Sequence, residues 1–208
     1  MKQRFMQLGG VCALLLVMIC LTSSPAQAAP VTIDLCATAG TSSLPGGGSV
    51  PIWGYVAGPC TGTASLPGPV LQVNSGDIVT INLTNQLPVP TSLVIPGQIL
   101  SASGGSAGLL TTEAPPGGSV TYTFTAVTGT YLYQSGSEPD RQIAMGLYGA
   151  LIVNSATSGR AYSQPTSAFD SAAVLVLSEI DPNLNANPAA FNMQNYKPRY
   201  WLINGKGY

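Results

Sequence analysis

Short runs of alternating apolar and polar residues recur along this chain, and a period of two is typical of β-strands with one buried face. In residues 78–84, Val79, Ile81 and Leu83 alternate with polar residues. Residues 120–126 alternate in the same way, with the apolar side chains at the even-numbered positions. Similar patterns, or apolar runs between turns, predict further strands at 31–36, 50–56, within 69–77, and at 129–136, 143–153 and 172–181.

Clusters of Gly, Pro, Ser and Asn separate these runs and predict turns or loops. We expect loops at 40–49, 58–62, 100–108, 113–119 and 182–195, and a polar turn at 137–142 that joins two strands. The chain contains 24 Gly and 17 Pro. This composition favours many short strands over helices, and the regular apolar runs argue against disorder. The strand number and spacing predict an all-β sandwich.

Charge is sparse, since only 7% of the residues are charged and the formal net charge is −1. There is no basic cluster in the sequence. Because phosphate binding depends on clustered Lys and Arg, we exclude nucleic acid as a partner.

The first 28 residues have the pattern of a signal peptide. Lys2 and Arg4 precede an apolar stretch at 11–21, which is short for a membrane span, and small residues at 26–28 form a cleavage site. We therefore expect an exported protein, periplasmic or secreted, with no stable membrane span after cleavage. An uncleaved anchor is the alternative.

Cleavage would remove Cys12 and Cys20 and leave Cys36 and Cys60. An even pair in an exported chain favours a disulfide. The alternative is a pair of thiolates that bind a soft metal, but two distant cysteines without histidine make a poor zinc or copper site.

One motif gives the chain a family resemblance. Residues 129–136 have the sequence Gly-Thr-Tyr-Leu-Tyr-Gln-Ser-Gly. This resembles the Gly-Thr-Tyr-x-Tyr-His-Ser-His segment of a cupredoxin (plastocyanin-like) domain in multicopper oxidases, where the two histidines bind copper. Gln134 and Gly136 occupy those two positions here.

A second motif resembles the same family. Residues 91–97 have the sequence Thr-Ser-Leu-Val-Ile-Pro-Gly, where the family has Thr-Ser-Ile-His-x-His-Gly. Val94 and Pro96 hold the positions of the two copper-binding histidines. Residues 146–153 and 202–205 match further family segments in the right order. The resemblance implies a Greek-key cupredoxin-like sandwich.

The resemblance also implies a domain organisation. Residues 1–28 would be the signal peptide, 29–154 a cupredoxin-like domain, 155–171 a linker, and 172–208 the first strands of a second, incomplete cupredoxin domain. Two strands cannot form a sandwich alone. We therefore expect either a truncated reading frame or a partner subunit that completes the sheet.

The chemistry of the chain departs from that of the family. Copper needs imidazole or soft sulfur ligands, and the chain contains no histidine. Val94, Pro96 and Gly136 have no donor atoms in their side chains, and the amide of Gln134 is a weak ligand. Met145 and Met193 are expected to be core fillers. We predict no metal, cofactor-binding or catalytic residue in this chain alone, and the absence of histidine excludes a Ser-His-Asp hydrolase.

Three aromatic residues, Tyr131, Tyr133 and Tyr148, could form a cluster between strands, with core packing as the simpler role. For function, the resemblance leaves two main hypotheses. The chain is the N-terminal portion of an exported multicopper oxidase, which oxidises a metal ion or phenolic donor with dioxygen through copper held by other domains. Alternatively, it is a non-catalytic scaffold or binding module. The richness in Thr, Ser and Gly suggests an adhesive surface protein as a weaker third hypothesis.

Overall fold

The computed structural model describes residues 28–207, so the predicted signal peptide lies outside the described residues except for its last position. These residues form a β-rich fold. Its strands are β1 Pro30–Ser43, β2 Ser49–Ala57, β3 Leu71–Asn74, β4 Ile78–Asn85, β5 Ser101–Gly104, β6 Ser106–Ala107, β7 Thr112–Glu113, β8 Ser119–Thr125, β9 Gly129–Gln134, β10 Tyr148–Asn154, β11 Leu177–Ile180, β12 Tyr200–Ile203 and β13 Lys206–Gly207. The helices are α1 Pro139–Met145 and α2 Pro182–Ala186, with 3₁₀ turns at Pro165–Ser167 and Met193–Asn195.

Two sheets form the main sandwich. The first has the strand order β2-β1-β4-β8-β5, and the second has the order β3-β10-β9. In the first sheet β4 pairs with β8 in antiparallel register, which places Ile81 opposite Tyr122 and Leu83 opposite Val120. All four side chains are buried. The alternation predicted for these two strands is therefore confirmed, and so is the all-β fold.

The second sheet closes the core from the other side. Its central strand β10 is buried along nearly its whole length, because it has a sheet neighbour on each side and packing on both faces. Leu151 of β10 pairs with Leu71 of β3 and Tyr131 of β9. Leu151 and Tyr133 pack with residues of the first sheet, including Leu35, in one large apolar cluster. This cluster holds the two sheets together.

Strand β1 is longer than the alternation predicts. It extends to Ser43, so the loop predicted at 40–49 is reduced to a turn at 44–48 before β2 begins. A Cβ at Gly40 would come within 2.3 Å of the Ala64 carbonyl oxygen. Glycine there reflects a close approach of two backbones within a strand, whereas the sequence suggested a loop. The loop predicted at 100–108 is likewise wrong, because β5 and β6 occupy most of it.

Helix α1 corrects the largest error in the predicted elements. Residues 139–145 are helical, and they include most of the polar turn expected at 137–142 and the first three residues of the strand expected at 143–153. Pro139 opens the helix, where its missing N–H costs nothing, and Gly146 ends it at a positive φ of 122°. These are ordinary start and stop signals. The same proline and glycine are also common at turns, so the sequence alone did not distinguish a turn from a short helix.

Residues beyond 154 form a smaller third sheet. After an irregular stretch, the strands β11, β12 and β13 pair in antiparallel order. The strand predicted at 172–181 covers only Leu177–Ile180. Ile180 and Leu202 pack on Val50 and Ile52 of β2, so this sheet rests on the outer face of the main sandwich. In residues 28–207, no helix has the length and apolar character needed to cross a membrane.

Cys36 and Cys60 form a disulfide, as the sequence predicts, with their Cα atoms 5.3 Å apart. The bond ties β1 to the segment that follows β2. The two cysteines are 24 residues apart in the chain. The closed loop therefore restricts the unfolded state over a sizeable segment.

Reduction of this disulfide should lower the free energy of unfolding by roughly 3 kcal/mol, because the unfolded chain regains the entropy of the open loop. Urea unfolding with and without reductant measures the change. The C36A/C60A variant is the control, since its stability should not respond to reductant. Equal unfolding midpoints for the oxidised and reduced wild-type protein would contradict the prediction.

Three tyrosines are among the largest fully buried side chains of the core, namely Tyr55, Tyr122 and Tyr133. Burial raises the pKa of Tyr122 to about 12, and it also raises the pKa of Tyr55 and of Tyr133. Each hydroxyl therefore keeps its proton in the folded protein at a pH where the unfolded chain loses it.

The titration of these tyrosines should therefore leave the stability unchanged below about pH 10, and the stability should fall as the pH rises from 10 towards 12. Urea unfolding across this range measures the fall. The Y122F variant should show a shallower fall. At neutral pH it should lose roughly 1–3 kcal/mol, because the buried Leu93 N–H and the partly buried Thr112 carbonyl lose their partner. Y162F, at a half-exposed position, should keep the wild-type pH dependence. A wild-type slope in Y122F would count against the prediction.

Candidate functional site

The two motifs that carry the family resemblance lie side by side. Val94 and Gln134 exchange two backbone hydrogen bonds: the Val94 N–H donates to the Gln134 carbonyl (2.8 Å), and the Gln134 N–H donates to the Val94 carbonyl (3.0 Å). The bridge is antiparallel. Two positions 40 residues apart in sequence are thus held as direct neighbours, and their side chains project to the same face.

Gly136 lies next to the Val94 side chain. A Cβ at this position would come within 2.8 Å of Val94 Cγ1 and 3.2 Å of Ser92 Oγ. The Val94 side chain therefore fills the space next to Gly136. Pro96 is exposed and lines, with Val94, a small cavity of about 270 Å³. The structure therefore brings Val94, Gln134 and Gly136 together and places Pro96 at the exposed side.

A network of buried polar side chains holds the two motif segments together around Val94, Gln134 and Gly136. Its first centre is Gln142 of α1, which is 1% exposed. Gln142 Oε1 accepts from Thr91 Oγ1 (2.8 Å) and from Ser135 Oγ (2.7 Å). Its Nε2 donates to the Pro90 carbonyl (2.8 Å). One amide thus joins α1 to both motif segments.

The second centre is a chain of hydroxyls. The Gly136 N–H donates to Ser92 Oγ (3.0 Å), Ser92 Oγ lies 2.9 Å from Ser137 Oγ, and Ser137 Oγ lies 2.7 Å from Glu113 Oε1. Each serine has a single proton to donate. A carboxylate only accepts, so Ser137 donates to Glu113 and Ser92 donates to Ser137. The chain is satisfied in this direction and ends on a carboxylate at the edge of the site.

Two buried tyrosines fix the segment 91–95. Tyr55 donates its hydroxyl proton to the Ser92 carbonyl (2.6 Å). Tyr122 accepts from the Leu93 N–H (3.1 Å) and donates to the Thr112 carbonyl (2.5 Å). Both tyrosines are neutral at ordinary pH, and burial raises the pKa of each, so they remain donors in more alkaline solution as well. The loop is therefore held by hydrogen bonds to the core.

The residues at this point do not fit a copper ion. Val94, Pro96 and Gly136 bring no donor atom, and the one amide of Gln134 is a hard, weak ligand for copper. Within residues 28–207, no three His, Cys, Asp or Glu side chains are grouped so that they could hold a metal. Met145 is buried in the core, and Met193 lies in a 3₁₀ turn. The arrangement buries polar groups and pairs them with one another.

The aromatic residues expected to cluster are separated. Tyr133 packs on Tyr55, with ring centroids 5.5 Å apart and an interplanar angle of 54°. Tyr131 lies at the margin of the main core. Tyr148 belongs to a separate small cluster with Val176. Tyr133 therefore forms its aromatic contact with a residue from β2.

Sequence reasoning missed several residues of the network. It identified Thr91, Ser92 and Ser135 as parts of the two motifs but gave them no partners. Gln142 and Glu113 were assigned to turns. The partner of Gln142, Thr91, is 51 residues away, so no local pattern could connect them.

A comparison with protein families matches residues 56–158 to the multicopper oxidase model. The chain is 34% identical to Laccase-1 of Cryptococcus neoformans var. neoformans serotype D (strain B-3501A) over 68% of the chain and 24% of the relative. It is 32% identical to L-ascorbate oxidase of Cucumis sativus over 68% of the chain and 25% of the relative. The chain thus spans about a quarter of the length of these two relatives.

The fold is also shared with a solved structure. The blue copper oxidase of Nitrosomonas europaea superposes with a TM-score of 0.68 at 20% identity, covering 85% of this chain and 54% of that one. This structural similarity shows the cupredoxin fold, and the sequence matches show the family. The chain belongs to the multicopper oxidase family.

Proposed function

We propose that residues 29–154 are the N-terminal cupredoxin-like domain of an exported multicopper oxidase, kept for its fold after the loss of its copper ligands. Residues 155–171 would be the linker, and residues 172–208 would begin a second cupredoxin domain. Oxidation of a metal ion or phenolic donor by dioxygen would belong to other domains, in a longer chain or a partner subunit.

The single observation that carries the proposal is the geometry around Val94, Gln134 and Gly136. The backbone frame of both family motifs is retained, with two hydrogen bonds between them. The side chains are unsuited to metal, and a satisfied network around Gln142 stabilises the frame instead. A domain with this construction needs no ion for its folding.

Export is supported by two features of the chain. The N-terminal sequence has the pattern of a signal peptide, and the Cys36–Cys60 disulfide suits an oxidising compartment. A periplasmic or secreted location follows from both. The remaining domains would then be assembled in the same compartment.

The second candidate function is a non-catalytic scaffold or binding module. The hydrogen-bond network favours it, because the network makes the domain independent of copper. The genomic sequence that follows the codon for Tyr208 discriminates between the two functions. A continuous frame encoding His-x-His and His-Cys-His segments supports the oxidase, whereas a frame without them supports the module.

Copper titration tests the absence of ligands. The purified protein should bind no stoichiometric Cu²⁺ in equilibrium dialysis and should show no paramagnetic signal from bound copper. The V94H/Q134H variant is the matched positive control, because two imidazoles on directly paired positions of one face can chelate a single ion. A stoichiometric copper site in the wild-type protein would overturn the proposal.

The supporting network can be tested by replacing Gln142 with leucine. Q142L should lower the free energy of unfolding by about 2–4 kcal/mol, because the buried hydroxyls of Thr91 and Ser135 lose their shared acceptor. Urea unfolding measures the change. Q86A, at an exposed position, is the control and should stay close to wild type. If Q142L were as stable as Q86A, the network would not be what stabilises the frame.

A further inference from the structure

The third sheet has one covered face and one uncovered apolar face. Ile180 and Leu202 point to the covered face, where they are buried against β2. Successive side chains of a strand point to opposite faces, so Leu177, Trp201 and Ile203 point the other way. Leu177 is 76% exposed and Trp201 is 68% exposed. An apolar sheet face is normally covered by a second layer of structure.

The uncovered face is continuous across the three strands. Leu177 of β11 lies opposite Ile203 of β12, and Ile203 lies opposite Lys206 of β13. In the next row, Glu179 lies opposite Trp201. Because directly paired residues project from the same face of a sheet, these five residues share one surface, which we call the bare face. The bare face therefore has an apolar centre, an acid on the β11 side and a base on the β13 side.

The acid and the base of the bare face are too far apart to neutralise each other directly. They lie on β11 and β13, with β12 between these strands. Adjacent strands are about 4.8 Å apart, so the backbones of β11 and β13 are separated by about 10 Å. Among residues 28–207 the ion pair joins Arg141 to Glu138, and it includes neither Glu179 nor Lys206. Both charges of the bare face are therefore available to a partner.

A large cavity of about 740 Å³ lies beside the bare face, on the β11 side. Its lining includes Leu177 and Glu179 of β11, and Pro139 and Asp140 of α1. In the described part of the chain, this lining contains neither Lys nor Arg. Two carboxylates without a neighbouring base attract a cation. The acidic side of the bare face is therefore next to a recess that suits a long basic side chain.

A second copy of this chain has the surface that the bare face needs. If two copies meet across a two-fold axis parallel to the strands, the β13 side of each copy lies over the β11 side of the other. Lys206 of each copy is then brought to Glu179 of the other, and the two apolar centres cover each other. A two-fold axis across the strands would instead bring β11 to β11 and the acids together. The opposite signs on the two sides make the face complementary to itself.

We propose that the chain forms a symmetric dimer through the bare face. Trp201 and Ile203 of the two copies pack together, so that the two third sheets form a sandwich between the copies. Lys206 of each copy enters the large cavity of the other copy, where it meets Glu179 and Asp140. The dimer is independent of the proposed function, because the bare face contains no residue of the two motif segments.

Sedimentation equilibrium of the purified protein measures the monomer–dimer equilibrium. W201S should weaken dimerisation by at least about tenfold, because it removes the largest apolar side chain of the interface. L109S is the matched control, since Leu109 is an apolar residue with 89% exposure outside the third sheet, and it should dimerise like wild type. A wild-type protein that stays monomeric at about 1 mM, or equal dimerisation of W201S and L109S, would overturn the dimer and leave the proposed function standing.

Charge reversal tests the symmetry of the interface. E179K and K206E should each weaken dimerisation by at least about tenfold, because each variant brings like charges together. Mixed in equal amounts, the two variants should form a heterodimer, because each reversed charge then meets an opposite charge. D170K reverses an exposed acid elsewhere and should dimerise like wild type.

Urea unfolding checks that these variants are folded, and all of them should keep the wild-type midpoint of the monomer, because the changed side chains are exposed or half-buried. Heterodimer formation separates a second copy from any other partner, since only a face that meets itself can be restored by mixing. If the mixed variants stayed as weakly associated as each one alone, the symmetric dimer would be excluded, and another domain or partner would have to cover the face.

Discussion

The candidate site depends on one pairing, the two backbone hydrogen bonds between Val94 and Gln134. They join a loop that follows β4 to the end of β9, which belongs to the opposite sheet. Both residues are half-buried, and backbone groups that lose their contact with water must be paired or carry a desolvation cost. The pairing therefore fixes the loop whatever side chains it carries. The backbone pairing is therefore compatible with valine at 94 and glutamine at 134.

A metal ion cross-links the segments that bind it. In this protein hydrogen bonds cross-link the two motif segments. Gln142 joins Thr91 to Ser135, and Ser92 joins Gly136 to the chain that ends on Glu113. Each hydrogen bond is weaker than a bond to a metal ion, but the bonds are linked, because Gln142 and Ser92 each bind two partners. Glycine at 136 fits the same solution, since a larger side chain would collide with Val94.

Local pattern was enough to predict β4, β8 and most of β2, because their apolar positions alternate against one core. It was also enough to predict the partners of the disulfide, since the sequence after the predicted signal peptide contains only Cys36 and Cys60. It failed for β5 and β6, whose Ser, Ala and Gly residues lack the branched side chains that mark strands. It failed for α1 because a polar, proline-containing segment suits both a turn and a first helical turn. The network was out of reach, since its partners are far apart in sequence.

Helix α1 links the two sites of the molecule. Gln142 and Met145 are buried and face the sandwich, while Pro139, Asp140, Ile143 and Ala144 line the large cavity. Residues four apart share a helix face, so 139 and 143, and 140 and 144, form one continuous side. The helix is only two turns long, and its conformation depends on the packing of both sides. Contacts on the outer side of the helix therefore also help to hold Gln142 in place. The hydrogen-bond network around Gln142 and the large cavity share this helix as a common wall.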